Sequence, residues 1–111
     1  MINVYLISSD IEGNVLYKIG MTRRDVNERL KEFKTGNASN MEIIDVFKSK
    51  WASKIENYLH KYFYKKNIGG EWFKLDKEDI NSFQEICLKL HNNFETIMNS
   101  NTYLKDNNKS I

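Results

Sequence analysis

The chain has 111 residues, of which 41% are hydrophobic and 13% aromatic, and its formal net charge is +2. A chain of this length can bury one modest core, so we expect a single domain and exclude a two-domain protein. It contains no apolar run of membrane-spanning length and no leader-like N-terminal segment, so we expect a soluble, unprocessed cytoplasmic protein with no membrane partner. The single cysteine, Cys87, excludes an internal disulfide and a cysteine-based zinc site, and its apolar helical surroundings predict a core residue.

Positive charge is concentrated in the first part of the chain. Residues 1–66 carry twelve Lys or Arg against eight Asp or Glu, whereas residues 67–111 carry five against seven. A surplus of this size is common among ordinary domains, so charge alone is weak evidence for a nucleic-acid partner.

Two short runs with strand-like alternation, residues 4–7 and 17–20, flank a segment rich in turn-forming residues. This pattern predicts an antiparallel hairpin. Because side chains alternate between the two faces of a strand, Tyr17 and Ile19 share one face and Lys18 lies on the other. We therefore expect Lys18 to point away from the face that Tyr17 and Ile19 bury.

A short helix is predicted after the hairpin. Thr22 and Asp25 are both candidate caps, since each is followed three residues later by an acidic residue. Arg29 lies beside the apolar face of this helix, so its guanidinium can lean over the edge of the core. That apolar face consists of Val26, Leu30 and Phe33. The β-branched residues of 42–47 then predict a third strand.

A second helix is predicted over residues 52–64. Its apolar face is expected to consist of Ala52, Ile55, Leu59, Tyr62 and Phe63. Glu56 lies at the margin of this face, where partial burial and a bound cation could both act on its carboxylate. His60 follows one turn later on the same helix.

Residues 69–75 predict a turn into a short aromatic strand, in which Glu71 and Trp72 are expected to close the fold over the sheet rather than to do chemistry. A last helix follows, with a narrow apolar seam formed by Ile80, Phe83, Cys87, Leu90, Phe94 and Ile97. We expect this seam to pack on the domain, with a homodimer or a protein partner as the alternative. The polar composition from residue 99 onward predicts one domain over 1–98 and a flexible polar tail over 99–111.

Several short runs occur in a characteristic order: Asn3-Val4-Tyr5, Lys18-Ile19-Gly20, Met21-Thr22 continuing to Arg29-Leu30, Thr35-Gly36-Asn37, Glu56 with Leu59-His60, and Gly70-Glu71-Trp72-Phe73. In this order they resemble the GIY-YIG nuclease superfamily, most closely its small phage and viral reading-frame branch, which is related to the meiotically up-regulated gene type. The resemblance implies an α+β fold with a small three-stranded antiparallel sheet flanked by helices, in the order β-β-α-β-α, followed by one C-terminal helix. It also implies a metal-dependent phosphodiesterase site.

Site residues are carried over from the resemblance one by one. Tyr5 matches the tyrosine that activates or orients the attacking water, Arg29 the arginine that steadies the phosphate, and Glu56 the carboxylate that holds Mg²⁺ or Mn²⁺. Lys18 replaces the second tyrosine of the superfamily, although active members with lysine there exist. A lysine near Tyr5 could also lower the pKa of the phenol. Phe33 stands where many members carry His or Tyr, and we expect it to be a core residue.

Two further sets of residues complete the predicted site. His60 could reach the same cation or shuttle a proton, because histidine titrates near neutral pH. The cations expected to follow a DNA backbone are Arg23, Arg24, Lys50, Lys54 and Lys61. Ordinary roles remain open beside these: a packed strand tyrosine for Tyr5, a solvated carboxylate for Glu56, and an ion pair with Asp25 for Arg29.

The resemblance therefore favours a metal-dependent DNA endonuclease of a phage, virus or mobile element. Phosphodiester hydrolysis needs a positioned water, a metal and a cation, and Mg²⁺ takes only one or two protein carboxylates. We expect low intrinsic sequence specificity, because little of the chain lies beyond the nuclease-like part. The alternatives are a catalytically weak or inactive DNA-binding module of nuclease fold and a protein-interaction factor that uses the last helix.

Overall fold

The computed structural model describes residues 1–35 and 40–109, with side chains described as far as residue 99. Its elements are β1 (Ile2–Ile11), β2 (Asn14–Thr22), α1 (Val26–Lys34), β3 (Asn40–Ser49), α2 (Ala52–Tyr62), a 3₁₀ turn (Tyr64–Lys66), β4 (Asn67–Gly69), β5 (Trp72–Phe73) and α3 (Lys77–Lys109). The predicted α+β class and the C-terminal helix are confirmed.

One antiparallel sheet with the strand order β3-β1-β2-β5-β4 organises the domain. Its first three strands are the predicted three-stranded sheet, and two short strands extend it beyond β2. The predicted aromatic segment forms β5. The prediction of only three strands was incomplete because β4 is short and wholly exposed, and so has no hydrophobic pattern to mark it.

The hairpin is tighter than the sequence predicts. Its loop contains only Glu12 and Gly13, both with positive φ (51° and 82°), which is the conformation of a two-residue hairpin turn. The Gly13 N–H donates a hydrogen bond of 2.9 Å to the Asp10 carboxylate. Residues expected to form a longer loop therefore extend both strands.

The sheet separates two apolar clusters. On one face, Val4, Leu6 and Ile19 pack against α2 and α3. On the other face, Tyr5 and Ile7 pack with residues of α1 and β3. As the alternation predicts, Lys18 lies on the same face of the sheet as Tyr5 and on the opposite face from Ile19. The evidence is that its ammonium group stacks on the ring of Phe33, which belongs to the second cluster.

Asp25, rather than Thr22, caps α1. The Asp25 carboxylate accepts a hydrogen bond of 2.7 Å from the Asn27 N–H, while the Thr22 hydroxyl accepts one of 3.1 Å from the Arg24 N–H and so shapes the turn before the helix. The helix ends at the C-cap Thr35. The remaining residues of the predicted Thr35-Gly36-Asn37 motif lie outside the described part of the chain.

Tyr62 was predicted to be part of the apolar face of α2, and this prediction was wrong. The helix ends at Tyr62, two residues earlier than expected, and the Tyr62 side chain is 59% exposed. Phe63 takes the core position instead, and the Tyr62 ring meets it edge-on with 4.8 Å between ring centroids. Tyr62 is the last residue of the helix, and the buried position passes to the C-cap residue Phe63.

The seam of α3 packs on the domain through its first half. Phe83, Cys87 and Leu90 are buried, whereas Ile97 is 52% exposed. The α3 backbone is helical as far as Lys109. The flexible polar tail expected over 99–111 and the alternative of a dimer both stay predictions. Within the described ranges, none of the helices combines the length and hydropathy that a membrane crossing requires.

Candidate active site

Tyr5 forms the floor of the candidate site. It lies on the central strand β1 with Gly20 opposite it on β2, and it is 1% exposed. Burial raises the pKa of its hydroxyl, the negative charges of Glu71 and Glu56 raise it further, and the nearby Arg29 guanidinium opposes the rise. The net shift of the Tyr5 pKa is therefore upward and not the lowering that a nearby lysine could cause, and the phenol stays protonated at neutral pH.

Two cationic side chains stack on the ring of Phe33. The Lys18 ammonium nitrogen lies 4.7 Å from the Phe33 ring centroid and the Arg29 guanidinium carbon 4.6 Å from it. The Tyr5 ring is tilted against the same ring at 6.2 Å. The position is partly buried, so the expected core role is accompanied by cation–π contacts that gather the basic side chains.

Glu71 enters the site through the pairing of β5 with β2. Lys18 is paired with Trp72, and the Lys18 ammonium forms a 3.0 Å ion pair with the Glu71 carboxylate. Trp72 and Glu71 thus cover Lys18, which agrees with their expected closing role. Glu71 also raises the pKa of both Tyr5 and Glu56 through its charge, an electrostatic role that its neighbourhood in the sequence does not indicate.

Glu56 lies on α2 with its side chain 17% exposed. Burial raises the pKa of its carboxyl group, Glu71 raises it further, and His60 and Lys18 oppose the rise. A carboxylate in this environment is stabilised by a nearby cation, because a positive charge offsets the cost of burial.

His60 anchors α2 to the sheet. Its Nε2 atom lies 2.9 Å from the Ile19 carbonyl oxygen and 3.7 Å from a Glu56 carboxylate oxygen. A carbonyl oxygen only accepts hydrogen bonds, so Nε2 carries a proton and donates it. While this bond persists, Nε2 is not free to bind a metal. The ring also meets Phe73 edge-on at 4.9 Å.

The Glu32 carboxylate accepts hydrogen bonds from two arginines. Arg29 donates a hydrogen bond of 2.8 Å to the Glu32 carboxylate, and Arg24 donates two, of 2.5 and 3.0 Å. These bonds lower the pKa of Glu32 to about 2. The alternative pairing of Arg29 with Asp25 does not form, because Asp25 caps the helix. Sequence reasoning missed Glu32, although its position three residues after Arg29 is a signal for such a pair.

The predicted DNA-contacting cations differ in their ion pairing. Arg24 is held by Glu32, and the Lys50 ammonium forms a 3.0 Å ion pair with Glu95. Arg23, Lys54 and Lys61 are exposed and make no ion pair with any residue that the structure describes.

The residues of the site fit a divalent cation held through one carboxylate. In the described ranges, no three His, Cys, Asp or Glu side chains cluster as a closed metal site. Mg²⁺, however, keeps several waters and takes one or two carboxylates, and Mn²⁺ also prefers oxygen ligands. The mostly buried Glu56 carboxylate, whose pKa is raised, could serve as such a ligand.

The family model of the T5orf172 domain matches residues 2–88, which span all the candidate site residues. The chain belongs to the T5orf172 domain family. This family is related to the GIY-YIG and homing nucleases, so the chain is a member of a nuclease-related superfamily. No curated protein and no solved structure matches the chain.

Proposed function

We propose that this T5orf172 domain is a metal-dependent DNA endonuclease of low intrinsic sequence specificity. One observation carries the proposal: side chains that are distant in sequence meet around the Phe33 ring. Lys18 and Arg29 both stack on this ring, and Tyr5 contacts it. Glu56 is close enough for its charge to act on Tyr5 and for the charge of Lys18 to act on Glu56. Together, a phenol, two cations and a mostly buried carboxylate can orient a water, bind a phosphate and hold a metal, which is what phosphodiester hydrolysis needs.

Arg29 is the residue we assign to the phosphate. Its bond to Glu32 is a charge-assisted hydrogen bond between exposed groups, which a phosphate oxygen can replace. The Phe33 ring keeps the guanidinium in place during this exchange. Lys18 adds a second positive charge beside the same ring.

Tyr5 is assigned to orienting the attacking water or a phosphate oxygen. Because the pKa of its buried hydroxyl is raised, the group is a hydrogen-bond donor at neutral pH and not a proton acceptor. Gly20 leaves the space in which this hydroxyl lies.

Glu56 is assigned to the metal. Bound there, Mg²⁺ or Mn²⁺ would neutralise charge on the phosphoryl oxygens. His60 holds α2 on β2 through the Ile19 carbonyl and so fixes Glu56 relative to Tyr5 and Lys18. We therefore assign His60 a positioning role.

A DNA-binding module that cleaves weakly or not at all is the second candidate. Two observations favour it: Glu32 occupies the Arg29 guanidinium, and Phe33 has no proton to exchange where many members of the superfamily carry His or Tyr.

The test is incubation of the purified protein with supercoiled plasmid in Mg²⁺, Mn²⁺ or EDTA. We expect nicking by the wild type with either metal, none with EDTA, and loss of nicking in Tyr5→Phe and Glu56→Ala. Glu85→Ala is the matched control, since Glu85 is an exposed carboxylate on α3 whose ion pair is with Lys89.

Each other outcome has a definite meaning. Nicking that persists in EDTA or in Glu56→Ala contradicts the assigned chemistry. If wild type and variants are all silent but retard DNA in a low-salt gel, the binding module replaces the enzyme.

A further inference from the structure

Three tyrosines are exposed on one stretch of the surface. Tyr58, Tyr62 and Tyr64 are 48%, 59% and 65% exposed. Large aromatic side chains grouped in solvent are a common mark of an interaction surface. Over residues 52–70 the sequence carries four lysines and one acidic residue, Glu56, so this surface is also basic.

Three lysines near these tyrosines in the sequence carry an unpaired positive charge. Lys54, Lys61 and Lys65 are exposed, and none of them forms an ion pair within the part of the chain that the structure describes. Two neighbouring lysines, in contrast, form ion pairs: Lys66 with Asp76 and Asp79, and Lys89 with Glu85. We call the set Lys54, Tyr58, Lys61, Tyr62, Tyr64 and Lys65 the Lys-Tyr face.

The Lys-Tyr face lies on the side of α2 opposite Glu56. Successive residues of a helix are rotated by about 100°, so Lys54, Tyr58 and Lys61 share one side of α2. On the same helical wheel, Glu56 lies roughly 140–160° from these three residues. A strand bound to the Lys-Tyr face therefore occupies a surface separate from the candidate active site.

Shallow grooves lie on both sides of Tyr62. One, of about 390 Å³, is lined by Tyr62, Tyr64 and Lys65 among others. The other, of about 270 Å³, is lined by Tyr58, Tyr62 and Lys89 among others. Each groove places an aromatic ring beside a lysine.

We propose that the Lys-Tyr face binds unpaired, single-stranded DNA, with bases stacked on the tyrosines and phosphates paired with the lysines. Alternating cations and exposed rings suit a single strand, whose bases are free to stack on a protein, whereas the bases of a duplex are stacked on one another. The inference rests on the proposed function in taking DNA as the substrate, and it adds that the DNA bound by the protein is unpaired or contains an unpaired stretch, which is held outside the candidate active site.

The test measures fluorescence anisotropy of a labelled thymidine oligonucleotide and of a duplex of the same length, in EDTA so that neither is cut. We expect tighter binding of the single strand. Tyr58→Ala and Tyr62→Ala should each weaken it by about tenfold, which is the lower range for loss of one stacked base. Tyr62→Phe should bind like the wild type, since it retains the ring.

The salt dependence is the second measurement. Lys54→Ala and Lys61→Ala should each reduce the slope of log affinity against log salt by about 0.7 for the single strand. Lys74→Ala and Lys77→Ala are matched controls on exposed lysines outside this face, and we expect both to keep the wild-type slope.

The inference is overturned if the duplex binds as tightly as the single strand, or if the tyrosine variants bind like the wild type. Its failure is separable from that of the proposed function. Tyrosine-dependent binding in a protein that never nicks DNA supports the Lys-Tyr face and removes the nuclease. Metal-dependent nicking by a protein whose single-strand binding ignores Tyr58 and Tyr62 does the reverse.

Discussion

The hydroxyl group of Tyr5 lies directly over Gly20 on the neighbouring strand, where a Cβ atom would come within 2.3 Å of the hydroxyl oxygen. The phenol has no free space into which it could move, because it is 1% exposed and its ring contacts Phe33. The position of the Tyr5 hydroxyl therefore requires a residue without a side chain at position 20.

Gly20→Ala should destabilise the fold by about 1–3 kcal/mol, the usual cost of overpacking a core, and should reduce nicking because the Tyr5 hydroxyl is displaced. Chemical denaturation gives the free energy of unfolding. In a Tyr5→Ala background the same substitution should cost less, since the clashing ring is gone. Strictly additive costs would show that the two residues do not oppose each other.

Glu71→Gln should extend activity to lower pH. Glu56 must be ionised to bind a cation, and the charge of Glu71 raises the pKa of Glu56, so the carboxylate now protonates earlier as pH falls. Removing that charge lowers the pKa of Glu56 and moves the acid limb of the pH–rate profile downward. Glu85→Gln should leave the limb unchanged. An upward shift for Glu71→Gln would contradict the electrostatic coupling.

Glu32 should titrate at about pH 2, far below the usual 4.5 of a glutamate, because Arg24 and Arg29 both donate to it. A lowered pKa in the folded state means that the stabilising contribution is present above the ordinary value and is lost as pH falls through about 2. Carboxyl NMR shifts of Glu32 measure the titration directly.

Arg24→Gln should raise the pKa of Glu32 toward its ordinary value. Arg23→Gln is the control, because Arg23 is an equally exposed neighbour that makes no ion pair with a described residue. Equal effects of the two substitutions would mean that general positive charge, and not the paired hydrogen bonds, holds the carboxylate ionised.

Cys87 should be unreactive toward thiol reagents in the native protein. The side chain is fully buried, and burial raises the pKa of its thiol to about 12, so little thiolate forms at neutral pH. Rapid labelling in denaturant and slow labelling without it is the expected result with an aromatic disulfide reagent. Phe83→Ala should speed the native reaction by loosening α3, and immediate labelling of the wild type would contradict the burial.

Local patterns predicted much of the fold. The alternation of Tyr17, Lys18 and Ile19 gave the face of Lys18 correctly, because a half-buried strand is constrained by its period of two. The seam of Phe83, Cys87 and Leu90 gave the packing face of α3 for the corresponding helical reason.

Contacts between distant segments were not predictable in the same way. Glu71 reaches Lys18 only because β5 pairs with β2, and the register of such a pairing is not written in either segment alone. Tyr62 was misassigned because the helical period places it on the apolar face, whereas at the end of α2 the buried position is taken by the C-cap residue Phe63. Membership of the family predicts roles for Tyr5 and Glu56 but does not establish them, because proteins that share a fold can differ in their chemistry.

The two short strands β4 and β5 are the most weakly held part of the sheet. β5 has two residues and pairs with β2 at two positions, whereas β1 is paired along its length on both sides. Amide hydrogens of β1 should therefore exchange with solvent only when the whole domain unfolds, and those of β4 and β5 through small local openings. Each such opening carries Glu71 away from Lys18 while Tyr5 stays fixed on β1. The part of the site beside β5 therefore moves more often than the part on β1.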